Sequence, residues 1–390
     1  MKFICPLENC TGCMSCATTC VHNAISVVED ELGFLRPVID ENRCVDCGAC
    51  RRVCPELNRV EMRFPIACFA AAISDRSHSN DFASGGVAST IARHFIEKGG
   101  IVVACCGNVI TDIHHKIIRN IEELPNIAGS KYVQSRISPN LLLEIKNELI
   151  KGSEVLFIGA GCQTAGIKNL FSKRFNNLTI IDLVCHGVPS QKMLNDNIEY
   201  YKGLYPSLDI SSIRFREKKD GIISYGWYAK TTDDKPTDIF VPWRKDAYMA
   251  AFLEHLSLRA CCSLCRYAFS ARATDITLCD FWGLGNDSVL KDRNGVSAVL
   301  INTEKGKTLF NSLSGLDIEQ REVGEAVRGV GRLQTPSPYN PMTNTFRTLY
   351  SKEGLQKAVT DTAFAKFKRE RIKSIPLLGG CLRIMARILR

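Results

Sequence analysis

Nine of the nineteen cysteines fall within the first 54 residues, and eight of them form two runs of identical spacing. Cys10, Cys13, Cys16 and Cys20 read C-x2-C-x2-C-x3-C, and Cys44, Cys47, Cys50 and Cys54 repeat that spacing before Pro55. A short loop of this kind can wrap an iron-sulfur cube and place three thiolates on one cluster, while its fourth cysteine ligates the other cluster. The spacing therefore predicts Cys10, Cys13, Cys16 and Cys54 on one 4Fe-4S cluster and Cys44, Cys47, Cys50 and Cys20 on a second. Zinc sites use C-x2-4-C pairs and not three tandem cysteines. A disulfide framework suits an exported chain, and nothing here marks one. Val21, not proline, follows the first run. The chemistry implied is electron transfer, one electron at a time.

The chain of 390 residues is far longer than two clusters require, so a two-cluster ferredoxin-type module is expected at 1–63, followed by larger units. Met1-Lys-Phe-Ile-Cys-Pro lacks the long apolar region of a signal peptide, and no stretch approaches a spanning helix. With this cysteine content, the expected location is cytoplasmic. The net charge of +9 is concentrated at residues 365 to 390, where eight basic side chains face Glu370 alone. No nucleic-acid motif or spread basic face accompanies it, so no nucleic-acid partner is expected. Leu378, Leu382, Met385 and Leu389 in that tail have helical spacing, which predicts a short basic helix capable of peripheral membrane contact or of docking on protein.

Beyond residue 63, short apolar runs alternate with helical patterns. Ile66 to Ile73, Ile101 to Cys105, Glu154 to Gly159 and Leu178 to Val184 read as buried strands, and Val296 to Ile301 resumes the pattern. Helical spacing covers Gly86 to Lys98, Leu141 to Ile150, 163–174 and Gln191 to Leu204. Ile213 to Phe215, Tyr225 to Lys230 and Asp238 to Trp243 read as an antiparallel or mixed excursion. The fold class expected is an α+β ferredoxin-like module followed by an α/β domain with a mostly parallel sheet and a mixed β excursion. The boundaries drawn are 64–150 and 151–333 for the two α/β parts, then 334–390 for a proline-rich linker and the basic helical tail.

Cys162 and Cys185 each stand where a strand ends, the place where open α/β sheets bind ligands. Downstream, Cys262 and Cys265 form a C-x2-C pair beside Cys261. These four thiols make a candidate third cluster site; Cys162 and Cys185 equally suit the small buried apolar role common for free cysteine. Cys68, Cys105, Cys106 and Cys381 read as core or incidental. Ser84-Gly85-Gly86 opens a helix and offers backbone N–H groups for a phosphate, although Ser-Gly-Gly also serves as a plain turn. No G-x-G-x-x-G opens a βαβ unit, which argues against a nicotinamide site.

Through Ser84-Gly85-Gly86-Val87, Gly129 to Ser135, Gly161-Cys162-Gln163, Cys185 to Ser190, Phe215-Arg216 and Asp280-Phe-Trp-Gly283, the chain resembles the coenzyme F420 hydrogenase/dehydrogenase beta-subunit family in its ferredoxin-bearing form. Two positions depart: Gly161 stands where the family has proline, and Cys279 precedes Asp280 where it has glycine. The resemblance implies an iron-sulfur flavoprotein, a third 4Fe-4S cluster on Cys162, Cys185, Cys262 and Cys265, and Cys279 or Cys261 as a competing ligand. It also implies FAD beside Ser84, Gly85, Gly86, Lys131 and Gln134, on the 64–150 side. A flavin is the usual converter between one-electron clusters and hydride chemistry. The reading that follows is an oxidoreductase passing electrons to a redox partner protein or a small-molecule acceptor. Its rivals are an electron-transfer subunit without a substrate site and a redox sensor. His186, beside Cys185, reads either as a proton donor or as a ring fixed by a backbone hydrogen bond.

Overall fold

The structure, a computed structural model, describes residues 2–107, 112–219 and 222–365. The N-terminal segment forms an antiparallel sheet of β1 (Lys2–Phe3), β2 (Ile25–Glu29) and β3 (Leu35–Ile39) in the order β1-β3-β2. Short helices α1 (Ser15–Thr18) and α2 (Ala49–Val53) carry Cys16 and Cys50.

The rest is built on one eight-stranded sheet of β4 (Ala67–Ile73), β5 (Ile101–Cys106), β6 (His114–Ile118), β7 (Val155–Ala160), β8 (Leu178–Leu183), β12 (Ile276–Asp280), β13 (Ser297–Ile301) and β14 (Leu316–Arg321). A separate antiparallel sheet holds the excursion, β9 (Leu208–Lys219), β10 (Ile222–Thr231) and β11 (Asp238–Pro242). The helices are α3 (Val87–Glu97), α4 (Pro139–Ile150), α5 (Gly161–Ile167), α6 (Gln191–Leu204), α7 (Ala247–Leu253), α8 (Glu304–Asn311), α9 (Val323–Gly329), α10 (Thr343–Glu353) and α11 (Leu355–Val359).

In the large sheet the order is β14-β4-β13-β12-β8-β7-β5-β6. Only the four central strands β12, β8, β7 and β5 run parallel; every other pairing is antiparallel. The expected mostly parallel sheet is therefore a mixed one. Strand direction follows from how the chain returns to the sheet and not from a strand's own composition. The boundary drawn at 150/151 also falls inside this sheet, because β4 to β6 share it with β7, β8 and β12 to β14.

Period-two alternation supplies both faces of the core. Val102, Ala104, Leu156 and Ile158 pack with Val87, Ile91 and Phe95 of α3. Their neighbours Ile101, Val103, Val155 and Phe157 pack on the other face with Leu141, Leu142, Ile145 and Leu149 of α4. Met14, from the first cysteine run, joins that second cluster and seats the N-terminal segment on the sheet domain. Residues expected to be linker do more than connect: Phe346, Tyr350, Leu355, Ala358 and Val359 are buried against the excursion and α7. The basic tail beyond Ala365 lies outside the described residues. Among the described residues no helix is long and apolar enough to cross a membrane.

At the start of α7, the Met249 N–H donates to Asp246 Oδ1 at 2.7 Å, and Asn197 Nδ2 donates to Oδ2 at 2.9 Å. Burial pushes this carboxyl up to about 6, and the hydrogen bonds oppose that shift only in part. The folded state therefore holds the proton more tightly than the unfolded chain, whose ordinary value is about 3.9. Stability from this group is present below the unfolded value and is lost as pH rises through about 6. The unfolding free energy of the native protein, from urea titration, is expected to fall by about 1.4 kcal/mol between pH 5 and 7.5. Asp246→Asn, which keeps an N-cap acceptor, is expected to flatten that slope.

Candidate functional site

The two cysteine runs fold alike. In the first, Gly12 and Met14 have φ of 73° and 61°; at the same places in the second, Asp46 and Gly48 have φ of 51° and 69°. Left-handed residues alternating with cysteines turn successive N–H groups toward the loop interior, a concavity suited to an anionic centre. Backbone N–H groups meet the sulfurs accordingly. Gly12 bonds Cys10, Ser15 bonds Cys13, Ala17 bonds Cys16, Arg51 bonds Cys50, and Glu56 and Leu57 bond Cys54. The Ala24 N–H lies 3.4 Å from Cys20 Sγ. Such bonds are the usual second shell of a cluster's thiolates, so the donor set fits an iron-sulfur cluster.

Cys10, Cys13, Cys16 and Cys54 line one small cavity together with Pro55. Cys20 lies instead beside Cys44 and Cys50, the grouping that crosses the two runs. Cys47 is exposed, whereas Cys10, Cys13, Cys16 and Cys54 are buried. A fifth thiol joins the buried set. Cys5 hydrogen-bonds the sulfurs of both Cys10 and Cys54 and holds them below the ordinary thiol value. It stands outside both runs, and only its nearness to Cys10 in the sequence hinted at it. Among the described residues, no three His, Cys, Asp or Glu side chains converge as ligands of a single metal ion.

Cys162 stands two residues beyond the end of β7, and Cys185 two residues beyond the end of β8. With Cys262 and Cys265 they line one cavity of about 1010 Å³ beyond the carboxyl ends of the parallel strands. Burial is the main cause pushing up the Cys162, Cys185 and Cys265 thiols, the last to about 12. Iron would hold such desolvated groups as thiolates. Cys261 is also present, hydrogen-bonded to Cys262 and electrostatically coupled to Cys162, Cys185 and Cys265. Cys279 lies apart, among Asp280, Arg272, Cys68 and Asp182, although it too reaches the cavity wall.

The first and third thiol groups are neighbours. Cys13 acts electrostatically on Cys162, and Cys10 on Cys261. Cys13 can pack there because residue 166 is glycine: a Cβ at Gly166 would stand 2.8 Å from Cys13 Sγ. Arg259, 1 % exposed, fastens the junction. Its Nε donates to Cys10 O at 2.7 Å, Nη1 to Gln134 Oε1 at 2.9 Å, and Nη2 to Leu35 O at 2.9 Å and Cys10 Sγ at 3.7 Å. Gln134 Nε2 donates in turn to Thr11 O at 3.0 Å. Both ends of that carboxamide are thus taken up between the module and the sheet domain.

Ser84, Gly86 and Lys131 also line the large cavity. Gly86 precedes α3 with φ of 81°, a conformation that favours glycine. Gly85 is buried behind it and donates its N–H to Ser297 Oγ at 3.0 Å. Lys131 Nζ donates to Ala128 O at 2.7 Å, and burial lowers its ammonium from the usual value. Arg216 of β9 forms a two-pronged pair with Asp280 at 2.8 and 3.0 Å and lies over the rings of Tyr225 and Trp282. The Phe215-Arg216 and Asp280-Phe-Trp-Gly283 motifs thus meet across the cavity wall. His186 carries no backbone hydrogen bond at Nε2; its ring stacks on His255 at 4.8 Å.

Residues 152–323 match the family model for the C terminus of the coenzyme F420 hydrogenase/dehydrogenase beta subunit, and residues 9–57 match a 4Fe-4S dicluster domain. Residues 152–323 therefore correspond to the C-terminal region of that beta-subunit family. Across 328 residues, 80 % of its length, the chain is 23 % identical to the coenzyme F420-dependent sulfite reductase of Methanocaldococcus jannaschii. It spans about half of that relative, 48 %. A chain of the F420-reducing NiFe hydrogenase complex of Methanosarcina barkeri is 18 % identical, with a TM-score of 0.45 over 77 % of this chain and 92 % of that one.

Proposed function

We propose that this chain is an iron-sulfur flavoprotein oxidoreductase that carries electrons between a redox partner and an acceptor bound in the large cavity. The carrying observation is the contiguity of its thiol groups. In the group nearest the surface Cys47 is exposed and Cys20, Cys44 and Cys50 are half-buried, whereas Cys10, Cys13, Cys16 and Cys54 are buried. Cys13 adjoins Cys162, and the Cys162 group opens into the cavity below Ser84 and Gly86. When bound, the clusters supply one-electron transfer and FAD the conversion to two-electron chemistry. Cys162, Cys185, Cys262 and Cys265 would hold the third cluster. The N-terminus of α3, with Ser84 and Gly86, would take the flavin phosphates, and Lys131 would lie beside the isoalloxazine or a phosphate. Gln134 serves the junction and positions Thr11 and Arg259. The named relatives make coenzyme F420 one acceptor to test.

A second reading, an electron-transfer subunit without its own substrate site, is favoured by the chain's match to only 48 % of the sulfite reductase. Anaerobically purified protein separates the two. The first reading expects about twelve irons per chain, four per cluster, and a flavin released on denaturation. Cys162→Ser is expected to reduce the iron to about eight while leaving the N-terminal clusters' signals intact. Eight irons in the native protein would remove the third cluster, and the absence of any flavin would favour the subunit reading.

A further inference from the structure

We infer that His186, His255 and Arg332 form an anion-binding subsite of the large cavity, taking a carboxylate or oxyanion group of the molecule that reacts there. This assignment deepens the reading of the cavity as a substrate site and rests on it. His186 Nε2, His255 Nε2 and Arg332 Nη1 are each buried without a hydrogen-bond partner among the described residues. Buried polar atoms are rarely left so unless a ligand or water completes them. The three belong together: the imidazoles stack at 4.8 Å, and the Arg332 charge acts on both. Among the described residues Arg332 has no ion-pair partner, and its Nη1 has no hydrogen-bond partner.

The arrangement is held from both sides. Ser337 Oγ donates to the His186 carbonyl, and His255 sits at φ 62°, a left-handed conformation that a non-glycine side chain keeps at a cost. His186 and Arg332 line the large cavity itself. A guanidinium offers donors and no acceptor, so the site repels a metal cation and attracts an anion.

Calorimetric titration of the purified holoprotein with sodium phosphate and sodium oxalate, at constant ionic strength in chloride, tests this. Saturable binding of one probe is expected; phosphate would indicate a tetrahedral oxyanion and oxalate a planar carboxylate. Arg332→Gln is expected to weaken it at least tenfold, Arg332→Lys less, and the exposed Arg328→Gln not at all. Because a variant could lose its cofactors, iron and flavin are measured in each sample, and His255→Leu is a second arm expected to weaken binding severalfold. Binding of neither probe, or native affinity in Arg332→Gln, would overturn the subsite. Binding by protein that contains no flavin would uphold it and instead remove the flavin reading.

Discussion

Replacing Cys54 is expected to abolish the cluster of the first cysteine run and leave that of its own run in place. In sequence Cys54 closes the second run, yet its sulfur shares a cavity with Cys10, Cys13 and Cys16. Cys5 also reaches Cys10 and Cys54 and is placed to substitute, so the informative variant is Cys5→Ala with Cys54→Ala. About four irons per chain should be lost, and the remaining electron paramagnetic resonance signal should match that of the native Cys44 cluster. Cys20→Ala should do the converse, removing the Cys44 cluster and sparing the buried one. If the Cys54 double variant and Cys44→Ala lose the same signal, each run closes on itself and the crossed assignment fails.

The largest expected loss of stability follows Asp182→Ala. Asp182, at 1 % exposure, pairs with the Arg272 guanidinium, itself 2 % exposed. It also accepts from Thr274 Oγ1 at 2.7 Å and Thr277 Oγ1 at 2.6 Å. Removing the carboxylate leaves a guanidinium buried without its counter-charge, a loss of about 3–5 kcal/mol. That is a large part of the stability of a typical domain, about 5–15 kcal/mol. The urea midpoint followed by far-ultraviolet circular dichroism should fall accordingly. The double change Asp182→Leu with Arg272→Met should recover much of it, because replacing both charges removes the uncompensated one. A single-variant loss under about 1 kcal/mol would mean that water reaches Arg272. Because Cys185 lies three residues beyond Asp182, a local shift there should also appear in the iron content.

Much of the sheet was legible because its strands are short apolar runs. β4, β5, β7, β8 and β13 are covered on both faces, and that composition stands out against the helical patterns between them. The strands not anticipated were β6, β12 and β14. β6 is His-His-Lys-Ile-Ile, in which His115 is buried by bonding to Ser135 Oγ at 2.8 Å and Ile158 O at 3.1 Å. β14 is a half-exposed edge strand of mostly polar residues. Neither has the apolar signature, since partners elsewhere in the chain satisfy them. The same cause turned an expected linker into α10 and α11, whose apolar residues acquire meaning only against the excursion they cover.

What the sequence determined by itself was local: the reach of two identical loops, whose cysteine spacing suits a cluster, and two cysteines placed at strand ends. Loop geometry over a few residues follows from backbone dimensions and tolerates little else. Only the tertiary structure decided that Cys5 joins the buried thiols, that Cys261 lies among the third set, and that Cys279 stands apart. It also decided that Arg259 grips Cys10 and that Arg216 meets Asp280. Those contacts join residues as much as 249 positions apart. They depend on strand order and on which face each strand presents, and no local pattern encodes either.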